Sequence, residues 1–377
     1  MTALVILLSA FVAVTLALHL ASAALTARRY LHLTPVRPIP GRPLVSLIRP
    51  VCGLDLHDEE TLGSSFRLTW RDLEVIFCAA HESDPAVPLV RRLIAENPQV
   101  NAQLLIGESG LSGNPKLNNL EKGWRVSRGA FVAMTDSNLL LPPDYIERLL
   151  SVWRPDTGLV SCPPVGIRGE GMGGALECAF LNSFQARWQL AADSLGLGFA
   201  QGKTLFWRRD VLERAGGLVA LGRDLAEDVA STKAVRGQGL VVRLAREPFA
   251  QPIGPRSLRA VWDRQLRWAR VRRDGFPGLF VAEILLGPWP PVAALIALGG
   301  LAGLGWALPF LALWYGAEIA LCRIAGWPCG ARDIAAMVLR DLLLAPLWVT
   351  TWARRGFEWR GTAMGGLEAA PAGGAEA

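Results

Sequence analysis

The chain is apolar at both ends and alternates between apolar and polar runs in the middle. Residues 2–25 carry no charge and a single imidazole, His19, over a length that can span a bilayer. A second apolar region covers 276–325, where Glu283, Glu318 and Arg323 are the charged residues. Within it, Gly287-Pro288-Trp289-Pro290-Pro291 reads as a break, a re-entrant turn or an interfacial anchor. A third stretch, 334–352, has Arg340 and Asp341 in its middle, which makes it either a span with a paired polar site or a helix lying in the interface. Between the flanks the periodicity predicts strands over 44–48, 73–79, 103–106, 130–135 and 158–161, and helices over 58–68, 84–97, 116–127 and 145–153. This βαβα order is that of an α/β domain with a mostly parallel sheet and helices on both faces.

Composition sharpens the reading of the flanks. A hydrophobic content of 51% and a mean hydropathy of +0.29 exceed those of an ordinary soluble protein. No Lys or Arg precedes the first apolar run, whereas Arg28 and Arg29 follow it directly. That asymmetry favours a retained anchor, with the following chain in the cytoplasm, over a signal peptide cleaved near Ala21-Ser22-Ala23. The six cysteines show no CxxC or metal-ligand spacing and fit buried thiols in a reducing compartment. The net charge is +6, arginines far outnumber lysines and many of the basic residues lie near the apolar ends, so membrane phospholipid is the expected anionic partner; nucleic acid has no supporting motif.

The candidate chemistry lies at the strand ends. The strand over 130–135 runs into Asp136-Ser137-Asn138, which puts a carboxylate at the carboxyl edge of a buried sheet. Such edges bind ligands, although an isolated Asp-Ser pair more often caps a turn. The strand before it in the alternation leads through a glycine-rich loop, 107–113, into Asn114-Pro115-Lys116-Leu117-Asn118-Asn119. His81-Glu82-Ser83-Asp84 follows the strand over 73–79. Three successive loops thus offer carboxylates, a lysine and amides, a set suited to a nucleotide diphosphate with a divalent cation. Neither GxGxxG nor GxxxxGK[ST] occurs, so neither the usual dinucleotide turn nor a P-loop is indicated. Glu227-Asp228 opens a further helix, either as a match to the helix dipole or as a carboxylate able to accept a proton from an attacking hydroxyl. Residues 257–273 form an amphipathic basic helix that serves as a surface anchor or as part of the site.

Asp84, Asp136, Asp228 and Arg264-Gln265-Leu266-Arg267-Trp268 together resemble the D, D, D, (Q/R)xxRW signature of processive and lipid-directed family 2-type glycosyltransferases. Arg49-Pro50-Val51-Cys52-Gly53-Leu54-Asp55, Ser83-Asp84-Pro85-Ala86, the Asn114–Asn119 run, and Ala215-Gly216-Gly217-Leu218 narrow the resemblance to glycosyltransferase family 21, the ceramide glucosyltransferases, over roughly residues 43–276. Hopanoid-pathway glycosyltransferases share the pattern. The resemblance implies a GT-A fold, a UDP-sugar donor and inverting transfer onto a lipid hydroxyl. It implies that Asp84 contacts the nucleotide, that Asp136 holds the diphosphate through Mg²⁺ or Mn²⁺, and that Lys116 and Asn118 lie near the donor. Asp228 corresponds to the general base, with Glu227 beside it, and Arg264, Arg267 and Trp268 close over the diphosphate or line the acceptor entrance. Phe184 and Ala200 stand near positions where animal ceramide enzymes carry a His and a Cys, and Asp136-Ser137-Asn138 has one carboxylate where many GT-A enzymes have two.

The expected organisation is an anchor over 1–29, a cytoplasmic catalytic domain over 30–254, an interfacial helix over 255–275, membrane helices over 276–353 and a cytoplasmic or disordered tail over 354–377. The expected activity is transfer of glucose from UDP-glucose to the primary hydroxyl of ceramide. The alternatives are transfer of N-acetylglucosamine, galactose or glucuronate to hopanoid, diacylglycerol or ceramide, and, in another class, an inactive lipid-binding scaffold.

Overall fold

The sheet is the frame on which the site is built, and its strands follow the apolar runs. In the computed structural model, which describes residues 2–31, 41–353, 357–359 and 362–364, the strands are β1 (Val45–Val51), β2 (Leu73–Ala79), β3 (Ala102–Ile106), β4 (Phe131–Thr135), β5 (Thr157–Ser161), β6 (Pro164–Glu170), β7 (Thr204–Arg208), β8 (Val241–Leu244) and β9 (Phe249–Pro255). Seven of them form one sheet in the order β3-β2-β1-β4-β7-β5-β8. The strand β2, LEVIFCA, is rich in β-branched and aromatic residues and is buried almost throughout, as a central parallel strand covered on both faces must be. Its single charge, Glu74, is satisfied by Ser46 Oγ at 2.5 Å and the Arg128 amide at 2.6 Å.

Neighbouring strands are parallel except around β7, which runs antiparallel to both β4 and β5. The sheet is thus mostly parallel, as expected, and the reversal at β7 decides where the site forms. Because Thr135 pairs with Thr204, the end of β4 and the beginning of β7 meet at one edge. The strands β6 and β9 form a separate parallel pair.

The helices of the alternating region are α1 (Thr2–Leu31), α2 (Asp58–Gly63, continued by a 3₁₀ turn, Ser64–Arg67), α3 (Ala86–Glu96), α4 (Pro115–Val126), α5 (Tyr145–Ser151), α6 (Gly171–Ala179), α7 (Arg187–Ser194), α8 (Arg209–Arg214), α9 (Gly217–Leu221) and α10 (Glu227–Arg236). One core packs Val75, Phe77, Val87, Val90 and Phe206 on one face of the sheet, and another packs Ile76, Leu117, Leu120, Leu205 and Trp207 on the other. Each fully buried side chain of this size contributes about 1.5–3 kcal/mol. Helix α4 can lie this close to the sheet because Gly123 faces it: a Cβ there would meet Ile48 at 2.7 Å and Cys78 Sγ at 2.8 Å. Cys78, Cys162, Cys178 and Cys322 are buried thiols.

The remaining helices are α11 (Leu258–Gly275), α12 (Pro277–Ala282), α13 (Trp289–Gly299), α14 (Leu301–Ala325) and α15 (Ala331–Ala353). Among the described residues three helices, α1, α14 and α15, are long and apolar enough to cross a membrane. The segments Pro277–Leu286 and Trp289–Gly299 meet at a 58° bend, at the proline-rich break seen in the sequence. Arg340 and Asp341, left open between two placements, are buried, and Arg340 makes two 3.0 Å contacts to the buried Glu318 of α14. This is the paired polar site of the first alternative.

Between α6 and α7 the chain makes a π-helical stretch, Phe180–Ala186, which the periodicity did not indicate. Its wider turns leave groups for arginines: Ser183 offers its carbonyl to Arg187 Nε at 2.6 Å and its hydroxyl to Arg340 at 2.6 Å. The stretch packs Phe180 and Phe184 with Ala23 and Ala27 of α1 and with Leu321, Met337 and Leu347 of α14 and α15. The α/β half and the apolar helices therefore share a core. Arg29, in the last turn of α1, adds polar fastening to Asp193 at 2.7 Å and to the Ala245 and Arg246 carbonyls at 2.9 Å each. Part of the tail expected as disordered is paired: β10 (Phe357–Trp359) runs antiparallel to β11 (Thr362–Met364). The rest of 354–377 lies outside the described residues.

Candidate active site

Four of the nine residues singled out in the sequence meet at one point of the sheet edge. The centre is Lys116, in the first turn of α4, whose Nζ lies 2.7 Å from Asp136 Oδ1 and 2.6 Å from Glu227 Oε1. It also donates to the Gly202 carbonyl at 2.7 Å. A cation in the first turn opposes the helix dipole, so its position calls for compensating anions. Burial works against the Lys116 charge, but Asp136 and Glu227 outweigh it and hold the ammonium above the ordinary lysine range. Asn114 builds the turn: its Oδ1 caps α4 on the Lys116 amide at 2.9 Å, while its Nδ2 reaches Glu227 Oε2 at 3.0 Å.

Lys203 completes this cluster and was not foreseen. Its Nζ is 2.9 Å from Asp136 Oδ2 and 2.9 Å from Asn138 Oδ1. Burial and then the nearby Arg264 charge hold it below the ordinary lysine range, against the pull of Asp136. Asp136 in turn is kept below the usual carboxylate range, since the two lysines outweigh its desolvation. A Gly-Lys-Thr at the start of the apolar run 204–208 was the available signal, and it needed the direction of β7 to become meaningful. Arg49, buried beneath the edge, donates to the carbonyls of Asp136, Ser137 and Leu139 at 2.8–2.9 Å and so fixes the loop that carries Asp136.

Among the described residues Asp228 sits beside this cluster with no ion-pair contact to a lysine, although the Lys116 charge reaches it. Its Oδ2 accepts from the Gly202 amide at 3.1 Å and its Oδ1 from the Val229 amide at 2.8 Å. Burial and the adjacent Glu227 charge push it up to about 6. Gly202 leaves room here for the carboxylates: a Cβ would stand 2.9 Å from Glu227 Oε1 and displace it.

The other sequence-predicted residues surround the cluster. Asp84 accepts from the Gly53 amide at 3.0 Å and from the Ala86 amide at 2.8 Å, joining the loop after β1 to the start of α3. Asn118 shapes the glycine-rich loop, accepting from the Ser112 amide and donating to the Ser112 carbonyl, both at 2.9 Å. Arg264 pairs with the buried Glu177 at 2.8 Å and lies 6.0 Å from the Trp268 ring. Trp268 packs on Cys178, Leu181 and Ile253, and the half-buried Arg267 precedes it on α11.

The divalent cation expected on Asp136 does not fit these residues as arranged. Both Asp136 oxygens carry an ammonium, and among the described residues no three His, Cys, Asp or Glu side chains converge as metal ligands.

Comparison with known proteins then decides the family. The sequence model for glycosyl transferase family 21 matches residues 2–367. The chain belongs to this family. Curated relatives of the family 21 chain include ceramide glucosyltransferase 1 of Caenorhabditis elegans, 28% identical over 277 residues, covering 73% of this chain and 59% of that one. Ceramide glucosyltransferase 3 of the same organism is 26% identical over 286 residues, covering 74% and 62%. The ceramide glucosyltransferase of Komagataella phaffii is 26% identical over 287 residues, covering 61% and 56%. The chain spans about three-fifths of the length of these relatives. Among solved structures, the mannosyltransferase PcManGT from Pyrobaculum calidifontis, in complex with GDP-Man and Mn²⁺, superposes with a TM-score of 0.55 at 21% identity, covering 89% of this chain and 99% of that one. The fold of the family 21 chain is accordingly of the GT-A type.

Proposed function

We propose that the chain is a membrane-bound inverting glycosyltransferase that moves glucose from UDP-glucose to the primary hydroxyl of ceramide. The observation that carries this reading is the division of the site into a lysine-paired pole, Asp136 with Lys116 and Lys203, and an adjacent lysine-free carboxylate, Asp228. The names of the curated relatives support the sugar and the acceptor.

In this reaction the acceptor oxygen attacks the anomeric carbon from the face opposite the diphosphate. The bond from that carbon to the diphosphate oxygen breaks, its electron pair leaves with UDP, and the hydroxyl proton passes to Asp228. A carboxylate with a pKa pushed up to about 6 is ionised at neutral pH yet more basic than an ordinary aspartate. Lys116, Lys203 and Arg264 supply positive charge where the departing diphosphate becomes more negative. Asp84 and Asn118 hold the loops against which the nucleotide would lie. Arg264, Arg267 and Trp268 lie on α11, whose end leads directly into the apolar helices and so favours an acceptor presented from the membrane.

A divalent cation is given no part in this step, because each Asp136 oxygen carries an ammonium. The division into an anchor over 1–29, a cytoplasmic catalytic domain over 30–254, an interfacial helix over 255–275 and membrane helices over 276–353 belongs to the same reading, with Arg28 and Arg29 supporting the orientation.

The test is transfer by membranes expressing the chain, with a panel of UDP-sugars and ceramide, diacylglycerol or hopanoid acceptors, read by product mass. A hexosyl-ceramide that vanishes with Asp228→Asn supports the proposal. A product on another lipid would move the acceptor and keep the base. No product from any pair, with UDP still bound, would replace the enzyme by a lipid-binding scaffold.

A further inference from the structure

The oxygens that a metal would need at this edge already hold a cation, and that cation belongs to the chain. Asp136 Oδ2 and Asn138 Oδ1, two residues apart on the loop after β4, both lie 2.9 Å from the Lys203 ammonium. A carboxylate and an amide oxygen converging on one point form part of the shell a hard cation takes. The second Asp136 oxygen carries Lys116 at 2.7 Å. A divalent ion entering here would therefore have to displace one ammonium and remain close to the other, at a repulsion that grows as the site is desolvated.

The Lys203 backbone is held by ties separate from those of its ammonium. Its amide donates to Gln201 Oε1 at 2.7 Å, its carbonyl accepts from the Asp136 amide at 3.1 Å, and Thr204 next to it is locked in the ladder opposite Thr135. Lys116 is tied three ways, to Asp136, Glu227 and the Gly202 carbonyl. Lys203 is consequently the ammonium that gives way.

We propose that Lys203 is a tethered cation that excludes divalent metal from Asp136 and Asn138, so that the ammonium and the metal occupy this place in alternation. The inference rests on the glycosyltransferase reading only for what draws the ammonium away, namely a nucleotide diphosphate. With the diphosphate bound, the Lys203 ammonium turns to phosphate oxygens and the vacated oxygens become available to a metal. Metal and nucleotide then bind together, and metal alone binds poorly.

The experiment measures Mn²⁺ binding to the purified full chain in detergent, through loss of the free-ion electron paramagnetic resonance signal, with and without UDP. Without UDP, Lys203→Met is expected to bind Mn²⁺ at least about tenfold more tightly than the wild type, because a charge is removed from the ligand oxygens. Lys203→Arg should keep the exclusion, and adding Asp136→Asn to Lys203→Met should abolish the gain. Thermal unfolding of each variant establishes that it is folded. Equal Mn²⁺ affinity in folded wild type and Lys203→Met would overturn the proposal, as would a gain that survives Asp136→Asn. The UDP arm separates the two readings. If UDP and Mn²⁺ bind together to the wild type but Lys203→Met gains nothing, the tethered cation falls and the donor class stands. If Lys203→Met gains Mn²⁺ while UDP affects no variant, the donor class falls and the exclusion by Lys203 stands.

Discussion

Glu227 Oε1 lies 2.6 Å from the Lys116 ammonium, and this contact separates the duties of two carboxylates that are adjacent in the chain. Glu227 spends its other oxygen on Asn114, whereas Asp228, among the described residues, accepts from the Gly202 and Val229 backbone amides and on the proposed function is the base. The two residues should therefore fail differently. Asp228→Asn is expected to lower kcat by about 10²–10⁴, the usual contribution of a positioned base, with UDP affinity unchanged. Glu227→Gln should keep measurable turnover and weaken donor binding, because Lys116 loses one of its two anions. Steady-state kinetics with UDP binding by calorimetry checks both; equal losses of kcat would refute the division.

The same pair sets a pH dependence. Asp228 has to be ionised to accept a proton, and its pKa is pushed up to about 6, so kcat/KM should fall as pH drops through about 6 and level off above it. Glu227 contributes to that elevation through like charge. Glu227→Gln removes it, and the acid limb should move to lower pH. Asp136 behaves oppositely: its depressed pKa gives stability that is present above the ordinary aspartate range and is lost only as pH falls through the lower folded value. Activity should thus disappear at a higher pH than the folded structure does, which parallel rate and circular dichroism profiles would reveal.

Gly202 is placed where no larger residue fits without moving a carboxylate. Gly202→Ala sets a Cβ 2.9 Å from Glu227 Oε1 and disturbs the amide that Asp228 uses. A displacement of this kind is expected to cost about 10²-fold in kcat, since small misplacements of reacting groups are amplified in rate. The melting temperature should change little. A fully active, folded Gly202→Ala would contradict the tight packing of the base.

A separate prediction concerns stability among the apolar helices. Arg340 pairs with Glu318 at 3.0 Å and with Asp341 at 2.8 Å, all three side chains being buried. Removing one partner from such a pair costs about 3–5 kcal/mol because a charge is left without compensation. Glu318→Gln leaves Arg340 its pair with Asp341 and should lower the melting temperature in detergent; Arg340→Met should lower it further, since it takes the arginine from two buried acids and leaves Glu318 only the longer 3.9 Å contact to Arg187. The reverse order would mean that the arginine is not the hub.

What the sequence could express locally, it did. The run 73–79 became a strand with those bounds, because an uninterrupted apolar segment of that length has few other uses in an α/β domain. Asp136 was legible for the same reason, as the first charge after an apolar strand. The reversed direction of β7 was not, since apolar patterning records burial and carries no sense of direction. Lys203 was hidden with it: its partners Asp136 and Asn138 are distant in the chain and come near only through the antiparallel pairing. The π-helical stretch 180–186 escaped because neither a 3.6-residue nor a two-residue repeat describes it. Arg340 and Asp341 stayed open between a paired polar site and an interfacial helix, because the partner Glu318 lies on another helix and is reached only by the packing of α14 against α15.

Arg29 ends the first helix with its guanidinium locked onto Asp193 and the carbonyls of Ala245 and Arg246. On the proposed function, such a joint between a membrane-spanning helix and the catalytic body would make the chain a gauge of height. On the proposed function, the acceptor oxygen has to arrive at a fixed level above the lipid tails, and the chain selects by that level as well as by chemical identity. Ceramide analogues whose hydroxyl is carried on progressively longer spacers should lose transfer on either side of one optimum, and Arg29→Ala should broaden that optimum; a flat response across the series would show that the height is not gauged.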